Sequence, residues 1–274
     1  MGSVGSAKEP SHARRHVGGL IKRFRTRKNL TQKELSELLV MSESLLGAYE
    51  CAERIPSALF LKDADQALDA DGLLVDCIEM MEEETYSPKF LNWKRTEAEA
   101  AIISAYECMV IPGLLQTPEY ARALYLSRVP AYDPEDLDRH VEARLARQVV
   151  LDRKPKPIVS YVVEQAVLER DLGGAAVLKE QLDHLLDLLR THPNITVQVM
   201  PTQRAVHAGL HGPFHLLSTP EGRNLAYTEG QGGDTLISRP EEVNRMIELF
   251  GALRGQALTP WESVELIERI AARL

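Results

Sequence analysis

Cysteine is scarce in this sequence, and the three residues present, Cys51, Cys77 and Cys108, lie far apart in unrelated contexts. This spacing gives neither a disulfide framework nor paired zinc ligands, so we expect reduced thiols. Long apolar runs are also missing, since none approaches the roughly 18 residues that cross a bilayer. The opening residues have no apolar core of the kind that a secretion signal needs. We therefore expect a cytoplasmic protein with no membrane partner.

Signatures of an enzyme are sparse as well. Glycine-rich phosphate loops, nucleophile elbows and Cys/His nucleophile pairs are missing from the sequence. The stretch Gly230–Asp234 lacks the lysine and the following helix of a phosphate loop, so we interpret it as a turn. Glu164 and Glu229 each end a predicted strand and could form a carboxylate pair, although such residues more often cap neighbouring helices or pair with arginine.

Three histidines have the spacing of a metal site but lie in the wrong context. His207, His211 and His215 recur every four residues, which would stack three imidazoles on one face of a helix. The glycines and the proline between them exclude a regular helix, and on a strand His215 would be half-buried. We expect no metal site, no cofactor and no enzymatic activity.

Charge is distributed unevenly around the formal net charge of −8. Residues 63–84 have no lysine or arginine and nine acidic residues: Asp63, Asp65, Asp69, Asp71, Asp76, Glu79, Glu82, Glu83 and Glu84. Residues 8–33 have one acid, Glu9, and nine basic residues: Lys8, Arg14, Arg15, Lys22, Arg23, Arg25, Arg27, Lys28 and Lys33. A basic head followed by an acidic neck predicts that only the head meets a polyanion. The alternative is that both runs are solvated helix faces.

Four short helices are predicted in this N-terminal part. The second opens with a capping box formed by Thr31 and Glu34, and the third begins after Ser42 as N-cap. The connection between them, Val40-Met41, is too short for antiparallel packing, so the two helices must cross steeply. Apolar residues fall at the positions that hold two crossed helices together: Leu35, Leu39, Met41, Leu46 and Tyr49.

The stretch TQKELSELLVMSESLLGAYECAERIPS resembles the repressor-type helix-turn-helix family called the xenobiotic-response-element family, whose members read much like TQxELAxxxGVSxSxISxxExGxRxPS. The resemblance implies double-stranded DNA as the partner, with the third helix in the major groove. It implies base contacts by Ser42, Glu43, Ser44, Gly47 and Ala48, and phosphate contacts by Gln32, Lys33 and Arg54. We expect a modest sequence preference, because Glu43 and Ser44 discriminate bases less sharply than a bidentate arginine.

Three positions depart from the family pattern. Val40 replaces the turn glycine, and a β-branched residue disfavours positive φ, so we expect the turn to be distorted or rebuilt at a cost of roughly 1 to 2 kcal/mol. Ala52 replaces the glycine after Glu50, and Ala48 replaces a basic residue common on the third helix. The alternative is therefore a vestigial head that only dimerises or docks a partner, beside a ligand-binding or hydrolytic C-terminal domain.

The rest of the chain alternates predicted strands and helices. Strands are predicted at residues 158–163, 195–200, 214–218 and 225–229, with a further one favoured within 97–107. The last helix opens with a capping box and a proline in Thr259-Pro260-Trp261-Glu262. The expected fold is α+β and mostly helical, with an all-α head of four to five helices, then a larger domain with a small sheet and C-terminal helices.

The segment IPGLLQTPEYAR, together with motifs that extend over most of residues 95–272, resembles the antitoxin-like C-terminal domain of actinobacterial WhiJ-like regulators. The resemblance implies a sequence-specific transcriptional regulator that responds to a ligand or to a small protein encoded by a neighbouring gene. We also expect a homodimer, because one head buries too little surface for useful specificity. The expected divisions are an N-terminal arm (1–15), the helix-turn-helix domain with its neck (16–84), a linker (85–96) and the antitoxin-like domain (97–274).

Overall fold

The computed structural model of the chain describes residues 10–85, 88–230 and 234–274. The chain divides into two compact units, Met1–Leu91 and Asn92–Leu274. The first unit is helical and the second is built on one sheet, so the predicted α+β, mostly helical class is confirmed.

The first unit has five helices within its described residues: α1 (His12–Arg27), α2 (Gln32–Leu38), α3 (Glu43–Glu50), α4 (Ala58–Leu68) and α5 (Cys77–Thr85). The first four each begin after a serine or threonine whose hydroxyl accepts a hydrogen bond from a backbone amide of the first turn; these N-caps are Ser11, Thr31, Ser42 and Ser57. The capping box of Thr31 and Glu34 is confirmed. Hydroxyl caps satisfy amides that a helix start otherwise leaves unpaired, so the sequence defines these starts locally.

One apolar core holds the five helices together. Val17 and Ile21 of α1, Leu35 of α2 and Leu46 of α3 are fully buried in it. Of the positions predicted to hold the crossed helices together, Leu35, Leu46 and Tyr49 are buried. Leu39 and Met41 also pack against the core but are only partly buried.

The second unit contains a six-stranded sheet in the order β3-β2-β1-β4-β5-β6. Its strands are β1 (Ile102–Glu107), β2 (Ile158–Glu164), β3 (Ile195–Met200), β4 (Phe214–Ser218), β5 (Asn224–Thr228) and β6 (Thr235–Ile237). Strands β1, β2 and β3 are parallel neighbours, whereas β4, β5 and β6 add antiparallel to the other side of β1. Strand β1 is therefore central, and its successive side chains alternate between the two faces.

Helices of the second unit connect and cover the sheet. They are α6 (Pro88–Glu99), of which residues 88–91 belong to the first unit, then α7 (Pro118–Leu126), α8 (Pro134–Ala146), α9 (Gln165–Leu168), α10 (Ala175–Thr191), α11 (Pro240–Gln256) and α12 (Pro260–Ala271), with 3-10 turns at Gly113–Leu115 and Arg147–Asp152. On one face, Tyr106, Val162 and Phe214 form an apolar cluster with Val243 and Phe250 of α11. The capping box of Thr259 and Glu262 at the start of α12 is confirmed.

Several local expectations differ from the structure. Helix α6 occupies 88–99, so most of the segment expected as linker is helical, and the strand favoured within 97–107 begins only at Ile102. Helix α1 begins at His12, inside the expected arm, while residues 1–9 of that arm lie outside the described part. Strand β6 was not expected, because three residues are too few to show an alternating pattern.

Candidate nucleic-acid interface

Val40 forms the corner between α2 and α3. Its φ is +52° and its side chain is 92% exposed. The Met41 amide donates to the Ser36 carbonyl at 2.9 Å and the Val40 amide to the Glu37 carbonyl at 3.3 Å, the paired bonds of a Schellman helix end. The turn is therefore neither distorted nor rebuilt, but the expected cost remains: valine adopts the left-handed conformation that glycine would favour, and the corner is kept at the cost of local strain.

The same type of helix end recurs at α1 and α3. Asn29 (φ +57°) follows α1 and Ala52 (φ +62°) follows α3. The residue after each of them forms the bond that spans six residues in a Schellman motif. The Leu30 amide donates to the Arg25 carbonyl at 3.1 Å, and the Glu53 amide donates to the Ala48 carbonyl at 2.9 Å. Successive tight ends fix the directions in which α2 and α3 leave their turns, although glycine is missing from all of these positions.

A buried ion pair connects α1 to α3. Arg25 donates through Nε and Nη2 to the two carboxylate oxygens of Glu50 at 2.5 and 2.9 Å, and its Nη1 donates to the Leu30 carbonyl at 2.7 Å. The Gln32 side-chain amide donates to the same carboxylate at 2.8 Å, which adds α2 to the network. The hydrogen bonds that Arg25 donates to Glu50 raise the pKa of Arg25. Three helices are thereby fixed relative to one another around one carboxylate.

Gly18 allows α1 and α3 to approach closely. A Cβ at this position would lie 2.5 Å from the Tyr49 carbonyl oxygen and 2.8 Å from that of Glu50. Both atoms belong to the backbone, so they cannot move aside as a flexible side chain could. The crossing therefore needs glycine at residue 18, whereas Gly19 on the exposed side of α1 has no such neighbour within 4 Å.

The residues predicted to contact bases lie at the accessible start and side of α3. Ser42, Glu43 and Ser44 are exposed, and Gly47 and Ala48 are partly accessible. The Ser42 hydroxyl accepts from the Leu45 amide at 3.2 Å, so its first role is to cap the helix. None of these five residues is buried beneath others, and the helix presents a small, polar surface with one carboxylate at Glu43.

The three residues predicted to contact phosphates differ in their surroundings. Lys33 is exposed and lies 4.0 Å from Glu37, one turn further along α2. Gln32 is already bound to Glu50, and its amide lies within 4 Å of the position that a Cβ on Gly47 would take. The Arg54 amide donates to the Ala48 carbonyl at 3.3 Å, so its backbone is fixed beside the end of α3. Gln32 thus has a structural role that sequence reasoning missed.

Some of the basic side chains of the head already pair with acidic groups of the same unit, so fewer of them are available to phosphates than the sequence count suggests. Arg25 is neutralised by Glu50, and Lys28 forms an ion pair with Asp69, whose pKa is lowered by the hydrogen bond from Lys28. Arg27 donates to the Asp69 carbonyl at 2.8 Å. Lys22 and Arg23 are exposed and have no ion pair within the described residues. Phosphate attraction is therefore expected to depend on a few cations.

In the second unit, His207 and His215 lie beside different carboxylates, on opposite faces of the sheet. His207 Nε2 lies 3.5 Å from Glu164, which also accepts from the Tyr106 hydroxyl at 2.6 Å. His215 Nε2 lies 3.5 Å from Glu107, whose side chain points to the face opposite to Tyr106 because the two residues are adjacent on β1. No group of three potential metal-ligating residues forms within the described ranges.

Comparison with family models assigns both units. Residues 92–269 match a domain of unknown function, DUF5753. The chain belongs to this family. Residues 16–76 match a helix-turn-helix domain, which agrees with the motif predicted from the sequence. No curated protein and no solved structure gives a significant match.

The DUF5753 domain contains buried charged groups that sequence reasoning did not identify. Arg147 donates through Nε and Nη2 to Glu97 at 2.8 Å in both bonds, and the side chain of Glu97 is buried. Arg144 donates to the Tyr125 hydroxyl at 2.8 Å and to Gln116 Oε1 at 3.1 Å. Spacing along the chain does not reveal the partners of these arginines, because each partner lies at least 19 residues away in sequence.

Glu107 is the most perturbed acid of the DUF5753 domain. Burial, with a smaller contribution from the charge of Glu229, raises its pKa to about 8, while Arg144 acts in the opposite direction. Burial lowers the pKa of the neighbouring His215. Both groups are therefore largely neutral near pH 7 although they face each other.

Within the described residues, no helix has the length and apolar character that a membrane crossing needs. The predicted turn at Gly230–Asp234 lies mostly outside the described residues.

Proposed function

We propose that this protein is a sequence-specific, DNA-binding transcriptional regulator. The observation that carries the proposal is the accessible α3, held at a tight corner after α2 in a unit that matches a helix-turn-helix domain. A helix in this arrangement enters the major groove while its partner helix contacts the backbone. In this proposal the protein is a regulator rather than an enzyme.

We assign base contacts to Ser42, Glu43 and Ser44, with Gly47 and Ala48 allowing α3 to approach the base edges closely. Glu43 is suited to accept from a cytosine amino group. Lys33 and Arg54 supply phosphate contacts, because both flank α3 with cationic side chains. Gln32 already donates its side-chain amide to Glu50, so it contacts a phosphate either through a bridging water or by giving up this bond. Its effect on DNA affinity should therefore be smaller than that of Lys33 or Arg54.

Salt dependence of binding tests the proposal. Fluorescence anisotropy with duplex DNA from upstream of the protein's own gene should give log K falling with log salt at a slope of about −2 to −4 for each head. Lys33→Ala should reduce the slope by about one. Lys62→Ala, which removes an exposed lysine of α4 outside the candidate interface, is the matched control and should leave it unchanged. A slope near zero for the wild-type protein would contradict the proposal.

We further propose that the DUF5753 domain is the responsive part of the regulator, in the manner of an antitoxin-like domain, with a small protein from a neighbouring gene or a ligand as effector. The division into an arm, a head with an acidic neck, a connecting segment and a responsive domain is part of this proposal, as is action in the cytoplasm, at the nucleoid when DNA is bound. Copurification of the neighbouring gene product, and a change in DNA affinity when it is added, would support the protein-effector form.

We propose a homodimer as the DNA-binding species, because two heads one helical turn apart multiply the specificity of one. Sedimentation at micromolar protein with an equimolar palindromic duplex should give two chains per duplex. A single chain per duplex, together with a monomer in the absence of DNA, would contradict the dimer without affecting the proposed groove contact.

A further inference from the structure

The DUF5753 domain contains a cavity between α6 and the 3-10 turn Arg147–Asp152, with a volume of about 340 Å³. One wall is a single face of α6, because its lining residues Glu97 and Ala98 follow Lys94 by three and four positions. The opposite wall is formed by the end of α8, the 3-10 turn and the residue after it, namely Ala146, Arg147, Val149, Val150, Asp152 and Arg153. Small-molecule sites have volumes of roughly 300 to 1,000 Å³, so this cavity has room for a compact ligand.

The surface that lines this cavity is mostly apolar. Val149 is 75% exposed, whereas the next residue, Val150, is 2% exposed. Ala98 and Ala146 are both exposed and border the same space. Burying carbon atoms against accessible apolar side chains is favourable, so the body of a ligand for this cavity should be apolar.

The two carboxylates of the lining already have cationic partners. Glu97 accepts both bonds of the Arg147 fork at 2.8 Å, so these two charges offset each other. Asp152 accepts a hydrogen bond from the ammonium of Lys156 at 3.2 Å. A cationic ligand would therefore have to compete with these partners for either carboxylate.

Arg153, in contrast, has no carboxylate partner within the described residues. Its Nη1 and Nη2 donate to the neutral carbonyl oxygens of Glu99 and Ala100 at 3.1 and 2.6 Å, and its Nε is buried without a hydrogen bond. Carbonyl dipoles at the end of a helix offset part of a positive charge, but less of it than a carboxylate does. Lys94 adds a second positive charge to the lining, so the cavity favours a ligand with an anionic group.

We propose that the cavity between α6 and the 3-10 turn binds a small carboxylic acid with an apolar chain, in its ionised form. The chain packs against Ala98, Val149 and Val150, and the carboxylate is attracted to the charge of Arg153. Because the walls around it are mostly apolar, this attraction is screened less than it would be on an open surface. The site stands on the geometry of the DUF5753 domain alone and does not require that the head binds DNA.

Hexanoate binding to the full chain tests the site, with 1-hexanol and hexylammonium as uncharged and cationic probes of the same chain length. At about pH 7 the carboxylate and the ammonium probe are both charged. Isothermal titration calorimetry should show saturable binding of hexanoate with Kd on the order of 1 mM, as befits so small a ligand. The other two probes should bind at least about fivefold more weakly, because they gain nothing from the charge of Arg153.

Two pairs of variants make the result decisive. Ala98→Trp fills the cavity and should abolish hexanoate binding. Ala176→Trp places the same side chain at an exposed position of α10 outside the cavity lining, and should leave the affinity unchanged. Arg153→Met removes the positive charge and should weaken hexanoate at least about fivefold, whereas Arg153→Lys keeps the charge and should lose less.

Three results would each overturn the proposal. They are equal affinities for the three probes, wild-type affinity in Ala98→Trp or Arg153→Met, and no saturable hexanoate binding at concentrations on the order of 10 mM. The probe comparison and Ala98→Trp decide the question even where Arg153→Met is not folded, because they leave the bonds of Arg153 to Glu99 and Ala100 in place.

Discussion

Arg25 and Glu50 form a two-bond fork between α1 and α3, with N–O distances of 2.5 and 2.9 Å. The Glu50 side chain is 1% exposed, so its charge depends on Arg25 and Gln32 for the hydrogen bonds that water would otherwise supply. A buried carboxylate without its partner is strongly unfavourable, whereas the intact pair costs little. The pair therefore fixes the relative orientation of the helices that present α3.

Removing one partner of this pair should destabilise the head markedly. Arg25→Met is expected to lower the free energy of unfolding by about 3 kcal/mol, because Glu50 remains buried without its cation. The double variant Arg25→Met/Glu50→Gln should lose less than the sum of the two single changes. Chemical denaturation measures all three. Lys28→Met breaks the exposed pair with Asp69 and serves as the control, with a much smaller expected loss because solvent screens this pair. Strict additivity at residues 25 and 50 would refute the coupling.

The adjacent glycines of α1 should respond in opposite directions to the same change. Gly18→Ala should destabilise the head by about 2 kcal/mol or more, since its Cβ would meet the backbone of α3. Gly19→Ala, in open space, should stabilise it by about 0.5 to 1 kcal/mol through helix propensity. Thermal unfolding followed by circular dichroism compares the two variants directly. Equal shifts at both positions would mean that α1 and α3 do not approach as closely as described.

Val40→Gly should stabilise the protein. Glycine removes the cost of the left-handed conformation, about 1 to 2 kcal/mol, and loses part of this gain to its larger freedom in the unfolded chain, so a net gain of about 0.5 to 1 kcal/mol is expected. The valine side chain is 92% exposed, so little burial is lost. Val40→Ala, which keeps a Cβ, is the control and should gain less. A loss of stability on introducing glycine would show that Val40 is not strained.

Sequence patterns predicted the local features of the head and missed its long-range ones. Hydroxyl caps and the spacing of Leu35, Leu46 and Tyr49 are local signals, and they predicted the helix starts and the crossing. The family pattern also indicated the corner residue correctly, but propensity alone predicted a distorted turn there. The surrounding hydrogen bonds instead impose positive φ on Val40, since tertiary context overrides local preference.

Interactions between distant residues have no comparable signal. Arg25 and Glu50 are 25 residues apart, and Glu97 and Arg147 are 50 apart, so neither pair could be inferred from spacing. Glu107 looked like an ordinary end of a strand, and only its central position in the sheet explains its burial. Spacing also gives no information on the partners of the histidines, since His207 lies beside Glu164 and His215 lies beside Glu107.

Glu107 should make stability depend on pH. Its pKa is raised from 4.5 to about 8, so between these values the folded state holds a proton that the unfolded state has released. The free energy of unfolding therefore falls as pH rises through this window and levels off above it. Glu107→Gln lacks this term, so its advantage over the wild type should grow by an amount on the order of 3 kcal/mol between pH 5 and pH 8. Glu119→Gln, which changes an exposed carboxylate of α7, is the control; denaturation curves with a constant difference across this range would contradict the shift.

The measurement that tests the central claim most directly is the base preference of variants on α3 and beside it. Selection from a random duplex library, followed by affinities for matched and mismatched sites, should show that Glu43→Ala changes the preference at one base pair by about 1 to 3 kcal/mol. Arg54→Ala should instead weaken all sequences alike, because phosphate contacts carry no base information. Equal effects of both variants on selected and random DNA would contradict the account that α3 contacts bases in the major groove.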